Sequence, residues 1–215
     1  GVNYEHEDLK NIMWNNPYTD QIKGKHGYDF VNMDDDPMDD AGHGTHCAGI
    51  VAGDAENGVG ISGVAAGSNT KIMALKWLDS EGYGATYDVI NAYNYVYQMQ
   101  QLGVNVVAVN NSWGGYVDAI YGENAILQKV MELVGENGTL SICAAGNETL
   151  DIDENISVPA SFDSDYIVTV AASQEDGELT TFSCYGDENV DLAAPGSDIL
   201  SSVASDVFKR KRRCV

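Results

Sequence analysis

The sequence predicts an α/β domain: a doubly wound, mostly parallel sheet with helices on both faces. Three observations carry that expectation. Four apolar runs without polar alternation, at 71–78, 105–110, 139–145 and 166–172, have the length and composition of buried strands. Two stretches of helical spacing, 87–101 and 124–137, separate successive runs, and a strand, helix, strand order implies parallel pairing. The 215 residues suffice for one sizeable core, and nothing marks a second folded domain.

Residues 1–40 read as loop-rich. Trp14, Asn15, Asn16 and Pro17 interrupt any periodicity, and the segment closes on Asp34, Asp35, Asp36, Asp39 and Asp40, a solvated, self-repelling acidic run. Next comes Gly42-His43-Gly44-Thr45-His46-Cys47-Ala48-Gly49, continued by Ile50-Val51-Ala52-Gly53. These residues are small enough for a helix to pack closely on its neighbours, with an imidazole at its mouth. Residues 57–66 form a glycine-punctuated loop, and 71–78 a strand buried on both faces. The helix at 87–101 would place Val89, Ile90, Tyr93, Val96 and Tyr97 on one side. Asn111-Ser112-Trp113-Gly114-Gly115 directly follows the strand at 105–110, and Gly146-Asn147-Glu148 that at 139–145. Sites in open parallel sheets gather at such carboxyl ends.

Charge narrows the partners. The chain carries 33 acidic and 11 basic residues, a net of −22, which repels nucleic acid and anionic membranes. Residues 1–208 hold six Lys, no Arg and every acidic residue, a net of −27; the other five basic residues form Lys209-Arg210-Lys211-Arg212-Arg213. Residues 207–215 therefore read as a basic tail foreign to the body. They are either a nucleic-acid or targeting patch, or, preferred here because short basic motifs recur by chance, a processing remnant or a frame-shifted end. No run of 18 apolar residues suggests a membrane span. The first residues show no signal core, so any export signal would lie upstream, and a start at Gly rather than Met suggests that something was cut away. Cys47, Cys143, Cys184 and Cys214 form no CxxC pair; Cys47 and Cys143 read as buried free thiols, and zinc is not supported.

Three features share one chemical explanation. His43 suits a general base, because an unperturbed imidazole titrates near neutrality. Asn147, on a glycine-preceded turn, is placed to aim an amide N–H at a developing oxyanion. Ser112-Trp113-Gly114, leaving a strand, offers an exposed backbone edge to an extended peptide. Singly, each has an ordinary reading: a helix cap or packed histidine, a turn asparagine, a plain loop. Together they describe acyl transfer on a peptide.

His43 through Gly49 resembles the histidine motif of the subtilisin-like serine proteases, and Cys47 after the second histidine is similar to the thiol-containing members. Asn111-Ser112-Trp113-Gly114-Gly115 resembles their substrate-binding strand and Ala144-Ala145-Gly146-Asn147 their oxyanion motif. Val158-Pro159-Ala160 through Ala171, then Leu192-Ala193-Ala194-Pro195-Gly196, match later landmarks in order. The resemblance implies a three-layer subtilisin-like fold over residues 1–206. It further implies a monomeric, extracellular endopeptidase acting on peptides or proteins. In it His43 would relay the proton of a serine nucleophile to the leaving amine, and Asn147 would hold the oxyanion. Ser112, Trp113 and Gly114 would flank one side of the pocket for the residue before the scissile bond, and Ala144, Ala145 and Gly146 the other; small, uncharged walls suggest an apolar or broad preference. His46, three residues along the helix, would point away from substrate and serve structure. A zinc site at the HxxH pair is the weaker reading, since no acid stands at the required spacing.

The resemblance also implies a structural calcium site, with Asp8 as carboxylate, Asn57 offering a side-chain oxygen and Ala55, Val59 and Ile61 offering carbonyls. Two family motifs are not found. The triad aspartate would lie two positions before Gly1, and no serine stands in a Gly-Thr-Ser-Met-Ala motif; Ser197, Ser201 and Ser202 lie too close behind Pro195. The chain as given is thus expected to be nearly inactive and of low stability. The alternative is a non-catalytic module that keeps the peptide groove.

Overall fold

Parallel pairing organises both parts of the chain. The computed structural model describes residues 1–203 and, in backbone only, 209–211. Apart from that short piece, the basic tail at 207–215 lies outside the described residues. The chain divides into two compact units, the first formed by Gly1–Ala92 with Leu200–Lys211, the second running from Tyr93 to Ile199.

In the first unit β1 (Gly27–Asp29) pairs in parallel with β2 (Ala74–Lys76), Gly27 opposite Ala74 and Asp29 opposite Lys76. Between them in sequence lies α1 (His43–Ala52). Its Ala48 joins Val2, Leu9, Met13 and Ala74 in a buried cluster, with Tyr4, Ile12 and Ile72 packed against it. Close approach governs the other side of α1. A Cβ on Gly49 would fall 2.5 Å from Ser201 Oγ and 2.9 Å from Ser202 Oγ, so only glycine admits this contact without a shift. Residues 1–40 are loop-rich as read, apart from β1, whose three residues, Gly-Tyr-Asp, carry no period by which to read a strand.

The second unit holds a four-stranded parallel sheet. Its strands are β3 (Ala108–Asn111), β5 (Leu140–Ala144), β7 (Ile167–Ser173) and β8 (Leu192–Pro195), in that order. A side ribbon pairs β4 (Gly115–Tyr116) antiparallel with β6 (Ser157–Val158). Beneath the sheet's carboxyl end lie Ala145, Ile152, Ala160, Ala171 and Cys184, a second buried cluster. The helices α2 (Thr86–Gln101) and α3 (Glu123–Glu136) fall within one residue of their predicted spans. Two short strands, β9 (Ile199–Ser201) and β10 (Lys209–Lys211), pair with each other.

Three readings need correction. The strand at 71–78 contracts to β2, where Ala74 and Lys76 are buried and Leu75 is half-buried. The run at 105–110 is not a buried strand, because β3 is the last strand of its sheet: Ala108 and Asn110 are exposed, and Val107 is 61% exposed. On α2 the buried stripe is Val89, Ala92, Tyr93, Tyr95, Val96 and Met99, while Ile90 and Tyr97 are only half-buried. Small Ala92 and flexible Met99 face inward where bulk alone would not have put them.

A lysine inside β2 is unusual, and its partners account for it. Lys76 Nζ lies 3.0 Å from Asp29 Oδ2 and 2.8 Å from Asp40 Oδ2, with the Lys76 and Asp29 side chains 5% and 1% exposed. Burial works to lower the lysine pKa but is outweighed by Asp40 and Asp29, and the result is raised. Burial likewise works to raise Asp29, but hydrogen bonds from Asn32 and the ammonium of Lys76 hold it below the usual carboxylate range.

Lys76→Met, which leaves the Asp29 charge buried and uncompensated, is expected to cost about 3–5 kcal/mol in urea unfolding. Because the folded pKa of Asp29 is depressed, its contribution is present above the unfolded value of about 3.9 and lost as pH falls through the folded one. Asp29→Asn should therefore flatten the acid side of the wild-type curve of urea midpoint against pH; an unchanged slope counts against the ion pair.

Candidate functional site

His43 is the first residue of α1, and a buried carboxylate fixes where that helix begins. The position before it, Gly42, has φ 82° and supplies no side-chain cap. Asp39 serves instead: Oδ1 accepts the N–H groups of Ala41 (3.0 Å) and Gly42 (2.8 Å), and Oδ2 accepts the N–H of Thr45 (3.0 Å) and its hydroxyl. Thr45 Oγ1 in turn accepts the N–H of Asn3 at 2.9 Å. Burial would raise the Asp39 pKa, but the hydrogen bonds from Thr45, Gly42 and Ala41 prevail and hold it low. An anion at a helix N-terminus also opposes the positive end of the helix dipole. This corrects the reading of 34–40 as a purely solvated run, since Asp39 is 8% exposed and Asp40 is paired with Lys76. The signal was an aspartate shortly before a helix start, hidden by the other acids around it.

One turn along α1, Cys47 Sγ lies 4.0 Å from His43 Nε2, and the thiol is half-buried rather than buried. His46 is 2% exposed, and its carbonyl accepts Ser201 Oγ at 2.6 Å. Ser201 and Ser202 are both fully buried and engaged, so neither is an exposed nucleophile. Among the described residues no three or more His, Cys, Asp or Glu side chains cluster as a metal site.

In the second unit the register sets the geometry. Asn111 pairs with Cys143, so β3 and β5 end together, and residues 112–114 and 144–147 emerge side by side. A buried hydrogen-bond chain holds the first of these segments. Ser141 Oγ and Tyr93 Oη are 2.9 Å apart, Asn111 Nδ2 donates to Tyr93 Oη at 2.8 Å, and Trp113 Nε1 donates to Asn111 Oδ1 at 3.1 Å. Burial pushes the Tyr93 pKa up, so the phenol stays neutral. Sequence reading named Tyr93 and Asn111 but not the hydrogen bonds that join them with Ser141, because buried polar links between elements leave no periodic trace.

Ser112 exchanges hydrogen bonds with the Asn110 side chain, and Gly114 is exposed but passes close to β6, where an added Cβ would fall 3.3 Å from Val158 O. Across from them Ala144 and Gly146 are half-buried, while Ala145 belongs to the buried cluster and presents only backbone. Asn147 follows. Its backbone N–H donates to Glu148 Oε2 at 2.8 Å, and its Oδ1 is buried with no partner among the described residues. Burial, with Asp191 adding to it, pushes the Cys143 thiol up to about 12 and leaves it inert at neutral pH.

The residues expected to hold calcium do come together. Asp8 is fully buried; Oδ1 accepts Asn57 Nδ2 at 2.9 Å, and Oδ2 accepts Ile61 N at 3.1 Å and Ser202 Oγ at 3.0 Å. All three donors are neutral. A Cβ on Gly60 would fall 2.2 Å from both carboxylate oxygens, so glycine keeps the space beside the charge open. A depression of about 280 Å³ there is lined by Ala55, Val59 and Ile61 among others. One detail differs from expectation: Asn57 turns its nitrogen to Asp8 and its Oδ1 to Val59 N, so ligation would need the amide to reverse. The donor chemistry fits a hard cation.

Comparison with known proteins identifies the family. The model of the subtilase family matches residues 1–215. A thermophilic serine proteinase of Bacillus sp. (strain AK1) is 35% identical over 208 residues, 97% of this chain and 45% of that protein. The major intracellular serine protease of Bacillus subtilis (strain 168) is 34% identical over 213 residues, 97% of this chain and 59% of that one. The crystal structure of a cold adapted subtilisin-like serine proteinase superposes with TM-score 0.77 at 30% identity, covering 100% of this chain and 66% of its own. The chain thus spans less than two thirds of each of these proteins.

Asp39→Ala should unwind the first turn of α1 and cost about 1–2 kcal/mol in urea unfolding, as loss of a helix cap does. Asp39→Asn, which keeps an acceptor, should recover part of it; two variants as stable as wild type would show that the carboxylate does not set the helix start.

Proposed function

Because the chain belongs to the subtilase family, we propose that it carries part of the machinery of a serine endopeptidase that cleaves extended peptides. His43 is the general base and Asn147 the oxyanion donor. The single observation that supports this best is the register of β3 with β5, Asn111 opposite Cys143, which brings the Asn147 turn alongside the backbone edge at 112–114. A peptide laid along that edge as an added strand would bring its scissile carbonyl towards the Asn147 amide. His43, at the start of a helix anchored by Asp39, would accept the nucleophile's proton and return it to the leaving amine. The relatives matched are themselves proteases by name, which favours catalysis over a purely binding role.

The chemistry also needs a serine nucleophile and an orienting acid, and neither a Gly-Thr-Ser-Met-Ala nor an Asp-Ser/Thr-Gly motif stands among these 215 residues, so the 215 residues alone are expected to be nearly inactive. Sequencing the coding DNA past both ends, in all three frames, shows whether the gene carries them. In a product carrying both motifs, His43→Ala should lower kcat by about 10⁴-fold or more. Asn147→Ala should lower it by about 10²–10³-fold, the loss known for this donor in subtilisin itself. A His43→Ala protein with wild-type kcat would end the peptidase reading.

A structural calcium ion is part of the proposal, held by the Asp8 carboxylate, the Asn57 amide and the carbonyls of Ala55, Val59 and Ile61. Its chemistry would be electrostatic, neutralising a buried carboxylate that has only neutral donors. Calcium in excess should raise Tm, by an amount set by its affinity for the folded chain, and Asp8→Asn should remove the rise; equal shifts in both proteins would discard the site. Extracellular location is proposed as well, although subtilase relatives include both an extracellular and an intracellular protease.

A further inference from the structure

A polar cluster beside the Asn147 turn plays no part in the chemistry described so far. Tyr116, at the end of β4, donates its hydroxyl to Glu148 Oε2 at 2.8 Å and lies 3.2 Å from Cys184 Sγ. The same Oε2 accepts the Asn147 N–H at 2.8 Å, with Cys184 Sγ 3.8 Å away. All three groups converge under Gly146. A Cβ there would meet Cys184 Sγ at 3.0 Å, Tyr116 Oη at 3.1 Å and Glu148 Oε2 at 3.2 Å, and the backbone has φ 119°. The Cys184 N–H also donates to Gly146 O at 3.0 Å. One carboxylate oxygen thus joins the ribbon beyond the peptide edge, the oxyanion turn and the segment around Cys184.

Burial, the thiol and the carboxylate all push the Tyr116 phenol upward, so its proton stays in place as a donor. A carboxylate acceptor makes both bonds to Oε2 charge-assisted and short. The direction of the Asn147 amide depends on the backbone of its own turn, and that backbone is tied to Glu148.

We propose that Glu148 and Tyr116 are positioning residues for the Asn147 oxyanion donor: Tyr116 fixes the Glu148 carboxylate, and Glu148 fixes the Asn147 backbone. The catalytic meaning rests on the peptidase reading above; the clamp itself does not.

The test is backbone amide hydrogen exchange at Asn147, read by NMR on the full chain in wild type, Tyr116→Phe, Glu148→Ala and Glu148→Gln. Exchange at Asn147 should rise about tenfold in Glu148→Ala and about threefold in Tyr116→Phe, while the amides of 140–144 keep their rates. Glu148→Gln, which retains an acceptor oxygen, should return towards wild type. An unchanged Asn147 rate in both Glu148→Ala and Tyr116→Phe, or a rise shared equally by 140–144, overturns the proposal. Should Glu148→Ala fail to fold, Tyr116→Phe carries the comparison alone. Exchange needs no turnover, so its outcome is separate from that of the peptidase reading. In a catalytically complete product the clamp variants should lower kcat and leave KM in place; a raised KM at full kcat would contradict positioning.

Discussion

The register of the central parallel ladder is the constraint on which the site in the second unit depends. Pairing Asn111 with Cys143 makes two neighbouring strands end level, so that residues 112–114 and the turn at 144–147 leave the sheet side by side. A slip of one residue would turn Asn111 away from Tyr93 and break the chain of hydrogen bonds from Ser141 to Trp113. Buried polar links of this sort fix one arrangement among many that hydrophobic packing alone would permit.

The first unit obeys a comparable rule at a helix start. Here anchoring falls to Asp39, four residues upstream of the imidazole, and to close packing at Gly49, where a methyl group would collide with Ser201. The acidity of the chain is thus of two kinds. Some carboxylates face water and supply charge, whereas Asp8, Asp29 and Asp39 are buried and each saturated by several donors. Net charge counts both kinds alike and does not tell them apart.

What the sequence disclosed follows from what has a period or a motif. Helices α2 and α3 and the strands β5 and β7 were legible because apolar spacing extends over many residues. His43, Asn147 and residues 112–114 drew attention in the sequence because chemistry uses such residue types at strand and helix ends; their roles belong to the proposal. Three-residue β1 and two-residue β4 have no period to read. The exposure of β3 depends on its being the last strand of its sheet, a fact of topology that its own apolar residues do not encode. Asp39, Tyr93, Asn111, Tyr116 and Glu148 act through contacts distant in sequence or hidden among similar neighbours, so only coordinates bring them forward.

The central claim is that residues 112–114 and 144–147 together receive an extended peptide. An NMR titration of the full chain with an uncleavable reduced-amide tetrapeptide tests it most directly. The account predicts saturable shifts concentrated at 112–115 and 144–148, with the Asn147 side-chain amide among the largest. Binding that leaves these residues unmoved while shifting another surface, or no binding at millimolar peptide, would contradict it.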